Sequence, residues 1–285
     1  MGAAAVLGVW LAWSIAAAPA FPSPCQAPLR VGYLDVDSPP MLFGQGSAFA
    51  DPPGWQVQAV RDAAARVGCP LDEVRLPGQR LDAMLENGAL DFSLYYGATR
   101  ERLRYLHYPL DAAGQPDAAW APLVGTLAFY ALAGSPQAAP GAVWNGQVLV
   151  PGTRVGVVAQ TTQAHLAGQR GWPLVYPITI NNGLQMLRAG RFDLLLTSRE
   201  TMRADWIGGR RGLVEVAPPV ARLPYFVVAS RSMWRRSSEL TIAFWSEVCR
   251  ATRRYAPDAR PVDCGRPLAG SMAPGVDRGA VQMQR

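Results

Sequence analysis

AMLENGALDFSL (residues 83–94) and QMLRAGRFDLLL (residues 185–196) carry one pattern twice: Met-Leu-x-x-Gly-x-apolar-Asp-apolar, at a constant offset of 102 residues. In each copy a run with helical spacing stops at a glycine, the residue that most readily takes the left-handed backbone of a helix end. A short apolar stretch opened by Asp follows at once, with the composition of a buried strand. Upstream of each copy, Leu29-Arg30-Val31-Gly32 and Thr153-Arg154-Val155-Gly156 each open a unit. Two similar α/β units in tandem are the economical reading.

The surrounding sequence extends each unit. LRVGYLDV (29–36) alternates like a strand, and Asp51-Pro52-Pro53-Gly54 is a turn. WQVQAVRDAAARVG (55–68) places Val57, Val60, Ala64 and Val67 on one helical face. DEVRLPG (72–78) is a strand, QRLDAMLENG a helix with Leu81, Met84 and Leu85 inward, and LDFSLYY (90–96) a third strand. In the second half TLAFYALAG (126–134), TRVGVVAQ (153–160), a stretch within PLVYPITI (173–180) and RFDLLLTS (191–198) read as strands. Helices are expected at TTQAHLAGQRG and at NNGLQMLRAG, the latter capped by Asn181 or Asn182. YFVVAS (225–230) is a further strand, and SSELTIAFWSEVCRATRRYA (237–256) is a long helix with Leu240, Phe244 and Val248 on one face. Strands alternating with helices imply parallel β-α-β units and an α/β fold.

The ends and the cysteines bear on where the chain works. Residues 1–20 are uncharged, apolar and end in Ala18-Pro19-Ala20, which reads as a secretory signal peptide and hence a periplasmic protein, although no Lys or Arg precedes the apolar run. Residues 266–285 lack periodicity and are expected to form a disordered tail. Four cysteines outside any metal-like spacing read as two disulfides. Three pairings are open; Cys25–Cys69 with Cys249–Cys264 is favoured, the second closing a short loop. The formal charge of +6 comes from 27 basic residues, all arginine and mostly scattered. That supports a mild bias towards anionic ligands but not a nucleic-acid surface, which needs a basic stripe interleaved with aromatics.

The order LRVG, a Pro-Pro loop, GWQVQAVRDAAARVG, a short helix ending in Asn-Gly, LDFSL and GATRERLRYLHYP resembles the extracellular solute-binding proteins of family 3. VWNGQ, TRVGVVAQTT and AGRFDLLLTS continue the resemblance, which spans residues 29–256. It implies a periplasmic-binding-protein-like fold of type II, with two α/β lobes joined by two hinge strands and a ligand in the cleft. Lobe 1 is expected at 28–121 plus 226–265, lobe 2 at 127–220, and the hinges near 122–126 and 221–225. The implied protein is a monomer without cofactor or metal that serves an ABC importer's permease or a membrane sensor.

The same resemblance implies a ligand set. In Thr99-Arg100-Glu101-Arg102, the Arg of Thr-x-x-Arg clamps the ligand's carboxylate; a guanidinium offers a planar fork that stays charged. Gly97 and Thr99 would add hydrogen bonds from lobe 1. Of Tyr95 and Tyr96, only one is expected in the cleft, because successive strand residues face opposite ways. Gln160, Thr161 and Thr162 would close over the carboxylate from lobe 2, Thr161 also capping its helix, and Tyr33 is the candidate to stack on the ligand. Amino-acid binders in the family hold the ligand's ammonium with an Asp where this chain has Ser198, beside Thr197 and five residues after Asp193. A buried ammonium without a counter-charge is costly. An anionic or neutral polar ligand is therefore expected, unless Asp35 or Asp37 compensates.

Two other readings come from different classes. Relatives of the fold include periplasmic cyclohexadienyl dehydratases, which need a cleft acid with a raised pKa; Asp35 or Asp37 would be that acid. No Gly-x-Ser-x-Gly is present, and the two histidines, His107 and His165, fall in different halves. A degenerate module that signals to a membrane partner by closing is the other reading.

Overall fold

Apolar strands must pair every backbone group and cover both faces, and the sequence provides for each. The computed structural model describes Cys25, residues 27–159, 161–203 and 211–256, and Cys264. The expectations for residues 1–20, Gln160 and the tail at 266–285 lie outside the described residues.

The first half begins with strand β1 (Leu29–Leu34), a small hairpin of β2 (Gly44–Gln45) and β3 (Ala48–Phe49), and helix α1 (Trp55–Val67). Then come β4 (Leu71–Leu76), α2 (Gly78–Glu86), β5 (Phe92–Gly97) and β6 (Leu106–His107). The second half contains β7 (Leu123–Leu132), β8 (Val155–Gly156), α3 (Thr162–Gln169), β9 (Leu174–Val175), α4 (Ile180–Arg188), β10 (Leu194–Ser198) and α5 (Arg199–Arg203). The long strand β11 (Leu213–Ser230) returns to the first half, followed by α6 (Arg231–Arg236) and α7 (Ser238–Tyr255).

One mixed sheet runs in the order β4-β1-β5-β11-β7-β10-β8-β9, with β6 beside β11. β1 pairs in parallel with β4 and β5, and β8 in parallel with β10 and β9. Only β7 and β11 bridge these sets: β11 lies antiparallel to β5 at its end and to β7 along both strands. The result is two α/β lobes joined by two crossing strands. The sequence starts this strand too late, expecting only 225–230, because Pro218 and Pro219 lack the N–H that a ladder needs. In the structure β11 passes those prolines with a register shift between Val216 and Ala221.

Each lobe has a core on both faces of the sheet. In the first, Val57 and Val60 of α1 and Phe244 and Val248 of α7 pack on Val31 and Phe92, while Leu81 and Leu85 of α2 pack with Phe226 and Val228 opposite. In the second, Ala164 and Ala167 of α3 pack with Leu127, Phe129 and Trp144, and Leu184 and Leu187 of α4 pack with Tyr130 and Leu195. Burying a Phe or Leu contributes about 1.5–3 kcal/mol, so these four clusters dominate the stability. α1 stops at Gly68, whose φ of 71° lets its N–H turn back to Ala64 and Ala65. α4 starts earlier than the sequence suggests: the Thr179 hydroxyl, not Asn181 or Asn182, accepts from the Asn182 amide and caps it. The disulfides are Cys25–Cys69 and Cys249–Cys264, the favoured pairing. Among the described residues, no helix is long and apolar enough to cross a membrane.

Candidate functional site

A cavity of about 170 Å³ lies where the ends of β5, β10 and the two crossing strands meet the start of α3. This is where an open α/β sheet presents strand C-termini and helix N-termini to a ligand.

The wall from the first lobe depends on a bulge. β5 pairs with β11 as Ser93 to Val228 but Tyr96 to Phe226, so Leu94 and Tyr95 together oppose Val227. Tyr95 is the extra residue and sits at φ 57°, a left-handed conformation costly for an aromatic L-residue. The bulge breaks the alternation that would have hidden one of the tyrosines, and both line the cavity. Tyr95 meets Trp55 edge-on at 5.4 Å and shares a 3.2 Å hydrogen bond with Thr252. Tyr96 lies under the Arg102 guanidinium, whose carbon is 4.7 Å from the ring centroid. Burial pushes the pKa of both phenols far up, so both keep their protons.

Arg102 follows from the Thr-x-x-Arg turn. The Thr99 hydroxyl accepts from the Arg102 amide at 3.2 Å, and the Leu103 amide donates to the Thr99 carbonyl. Thr99 is thus spent on the turn, and it does not line the cavity. Arg102 Nη1 donates to the Gly97 carbonyl at 3.3 Å and to the Thr162 hydroxyl of the other lobe at 3.2 Å. Gly97 also accepts from the Tyr108 hydroxyl. A Cβ at Gly97 would stand 2.7 Å from Thr162 Oγ1 and closer still to its Cγ2, so the lobes meet where only glycine fits.

On the second lobe, Thr161 accepts from the Ala164 amide as the cap of α3 and donates to the Val158 carbonyl, yet it also lines the cavity. Ser198 lines the cavity and caps α5 by accepting from the Thr201 amide at 3.0 Å. Thr197 is buried and off the wall.

Three placements correct the sequence reading. Tyr33 does not stack in the cleft: it is 1% exposed in the first lobe's core, and its hydroxyl donates to Glu73 at 2.8 Å. Neither Asp35 nor Asp37 lines the cavity, and Asp37 accepts from the buried Arg75 at 3.1 Å. Three wall residues were not anticipated. Glu200, two positions past Ser198, accepts from the Thr126 amide of β7 at 3.0 and 3.3 Å. Tyr225 of β11 presents a buried hydroxyl with no hydrogen-bond partner. Asp82 of α2 does the same with its Oδ1. Burial raises the Asp82 pKa above the usual carboxylate range, against the pull of Arg102 and of the Tyr96 and Tyr105 phenols. The signal that could have exposed Asp82 is its helical position, three residues before the inward Leu85 and so on the same side of the helix.

The histidines lie elsewhere. His107 stacks on Trp234 at 3.8 Å, and burial, then Arg231, push its pKa down to about 4. His165 contacts Gln169 at 2.9 Å on the exposed face of α3. Among the described residues no cluster of His, Cys, Asp or Glu is arranged to hold a metal.

The architecture is that of a type II periplasmic binding protein, the class to which the solute-binding proteins of family 3 conform. A mutant of ArgBP from T. maritima is similar at 17% identity, covering 80% of this chain and 90% of its own, with a TM-score of 0.58. A histidine kinase sensor domain with similarity to periplasmic binding proteins matches at 19% identity, 81% and 93% coverage and a TM-score of 0.58. The ancestral amino acid-binding protein AncCDT-1, a precursor of cyclohexadienyl dehydratase, matches at 14% identity, 82% and 95% coverage and a TM-score of 0.60. The sequence matches no protein-family model and no curated protein.

Proposed function

We propose that this chain is a secreted solute-binding protein whose lobes close on a small polar ligand carrying an acid group. The observation that carries the reading is Arg102, which lines the cavity while hydrogen-bonding Gly97 of one lobe and Thr162 of the other. A carboxylate placed there meets a charged donor already oriented by both lobes, and such charge-assisted bonds are about twice as strong as neutral ones. Its contacts to both lobes would favour the closed state over the open one.

Glu200 amends the expected ligand chemistry. The carboxylate missing at Ser198 is supplied two residues later, on the same wall, so an ammonium is no longer without a counter-charge and a zwitterion fits. Because Glu200 also holds the Thr126 amide on a crossing strand, ligand charge and lobe angle would be linked. The two disulfides suit an oxidising compartment. Closure would then be read by an importer's permease or by a membrane sensor.

The test is a thermal-shift screen of amino acids and small organic acids, followed by titration calorimetry. A hit should raise the melting temperature of the wild type. The rise should vanish in Arg102→Ala and return only partly in Arg102→Lys, which lacks the fork. Equal affinity in Arg102→Ala would remove the assigned anchor.

The cavity acid Asp82 gives a dehydratase reading a specific foothold, since burial raises its pKa. Incubation with prephenate and arogenate decides between the two: unchanged substrate supports binding alone, and turnover replaces it.

A further inference from the structure

We infer that Arg75 of β4 is a positioning residue for the cleft: its buried guanidinium holds the loop between β1 and α1 where Ser38, Met41 and Leu42 form part of the cavity wall. The inference rests on the cleft-binding reading above, because that loop has a ligand to meet only if the cavity takes one.

β4 is an edge strand of the sheet, and Arg75 is its one buried residue. An arginine is almost never fully buried without partners, yet this side chain is 0% exposed. It stands opposite Tyr33 in the parallel register with β1, so both point to the face that α1 covers. An aliphatic side chain would suit that face. An arginine there answers a different need.

The need lies in the loop. Residues 35–54 carry only the two-residue strands β2 and β3, and their backbone groups must be paired wherever the loop packs down on the lobe. Arg75 reaches three separate points. Nε donates to the Leu34 carbonyl at the end of β1 at 3.1 Å, Nη1 to the Ala48 carbonyl of the hairpin at 2.6 Å, and Nη2 to Asp37 at 3.1 Å. The planar fork fixes the directions of these bonds as well as their lengths. Phe49 of the same hairpin has the guanidiniums of Arg75 and Arg61 each 5.7 Å from its ring centroid, and it meets Tyr33 edge-on at 5.3 Å. Gly44 pairs with Phe49 across the hairpin, and a Cβ on it would stand 1.6 Å from Arg75 Nη1. Only glycine lets the fork reach that far.

Leu34, held directly, lies on the cavity wall, and Asp37 is the neighbour of Ser38. Further along, the Trp55 and Gln56 amides that open α1 donate to the Pro40 and Met41 carbonyls at 3.3 and 3.0 Å. The wall segment is thus fastened from β4 on one side and from α1 on the other. It stands in place before a ligand arrives, so ordering it does not count against affinity.

The test is amide hydrogen exchange on ligand-free wild type, Arg75→Met, Arg75→Lys and Gly44→Ala, followed by binding kinetics of L-glutamate and L-arginine on the same proteins. Arg75→Met keeps much of the bulk and loses every donor. Its amides at Ser38, Met41, Leu42, Phe43 and Ala50 should exchange about tenfold faster or more, while those of β5 and α7 keep their protection. Gly44→Ala leaves Arg75 in the chain but pushes the hairpin off it, and it should reproduce the pattern. Arg75→Lys, a point donor without the fork, should fall between. Uniformly faster exchange across the first lobe in Arg75→Met, with an unchanged loop in Gly44→Ala, would make Arg75 a general stabiliser and overturn the inference. An amino acid bound by the wild type should leave Arg75→Met and Gly44→Ala about tenfold faster, with its dependence on Arg102 intact. Equal dissociation from all four proteins overturns the inference and leaves the cleft reading standing. Should the wild type bind neither amino acid, the cleft reading is what fails, and the exchange pattern still decides whether Arg75 places the loop.

Discussion

The Asp91 carboxylate accepts from both the amide and the guanidinium of Arg30, at 2.8 and 3.1 Å. Arg154 makes the same two bonds to Asp193, at 2.8 and 3.0 Å. In each lobe the arginine also reaches the carbonyl of the glycine that ends the preceding helix, Gly88 or Gly190. The repeat read in the sequence is therefore physical. The Asp that opens the strand and the Arg two residues before Gly32 or Gly156 lock helix, strand and neighbouring strand together.

The two copies are not equally placed, which makes their removal informative. Asp91 is 1% exposed and takes a further bond from Arg236, whereas Arg154 and Asp193 face water. Burial pushes the Asp91 pKa up, but the side chain and amide of Arg30, with Arg236, outweigh it and hold the group below the usual carboxylate range. A lowered native pKa contributes stability above the unfolded value, lost as the pH falls through the native one. Asp91→Asn should cost about 2 kcal/mol at pH 7, short of a fully buried pair because both arginines keep water. The deficit should close below pH 4. Asp193→Asn should cost much less. Thermal melts of both variants from pH 3 to 8 check the asymmetry; equal losses would contradict it.

The fold was legible because its signals are local and periodic. Val57, Val60, Leu81, Leu85, Phe244 and Val248 all fall in the cores where their spacing put them. What escaped was set by tertiary contact. The bulge at Tyr95 leaves no mark in a strand-like run, and it defeats the alternation rule that separated the two tyrosines. Tyr33 looked like a ligand aromatic from its place in the chain, but burial and Glu73 claim it. Asp82 read as an ordinary polar helix residue, because its place on the cavity wall beside Arg102 and Tyr96 depends on how α2 meets β5 and the turn after it. Glu200 needed a hinge-strand amide to acquire a role.

Gly97 allows a test of closure that leaves the anchor untouched. Its Cα faces Thr162 so closely that any Cβ would overlap that side chain. Each lobe can still fold with a valine there, since the clash lies between lobes. Gly97→Val should keep its melting temperature within a few degrees and its Arg102 in place. It should nevertheless fail to shrink in solution scattering when ligand is added, and its affinity should fall at least tenfold. Thr162→Ala in the same chain should restore part of the compaction, as a contact-specific coupling requires. A Gly97→Val protein that closes normally would place the lobe contact elsewhere.

Asp82 and Asp91 should respond oppositely to the same chemical change. Burial raises the Asp82 pKa, so the native state binds that proton more tightly than the unfolded chain does. The sign reverses: stability is fully present below the unfolded carboxylate value and is lost as the pH rises through the raised native one. In the ligand-free protein at pH 7, the carboxylate is a net burden that Arg102 offsets only in part. Asp82→Asn should therefore melt higher than wild type at pH 7, with the gain shrinking as the pH is lowered towards 4. A variant that melts lower than wild type at pH 7 would mean that attraction to Arg102, not burial, governs this carboxylate, and the sign of its pH dependence would have to change with it.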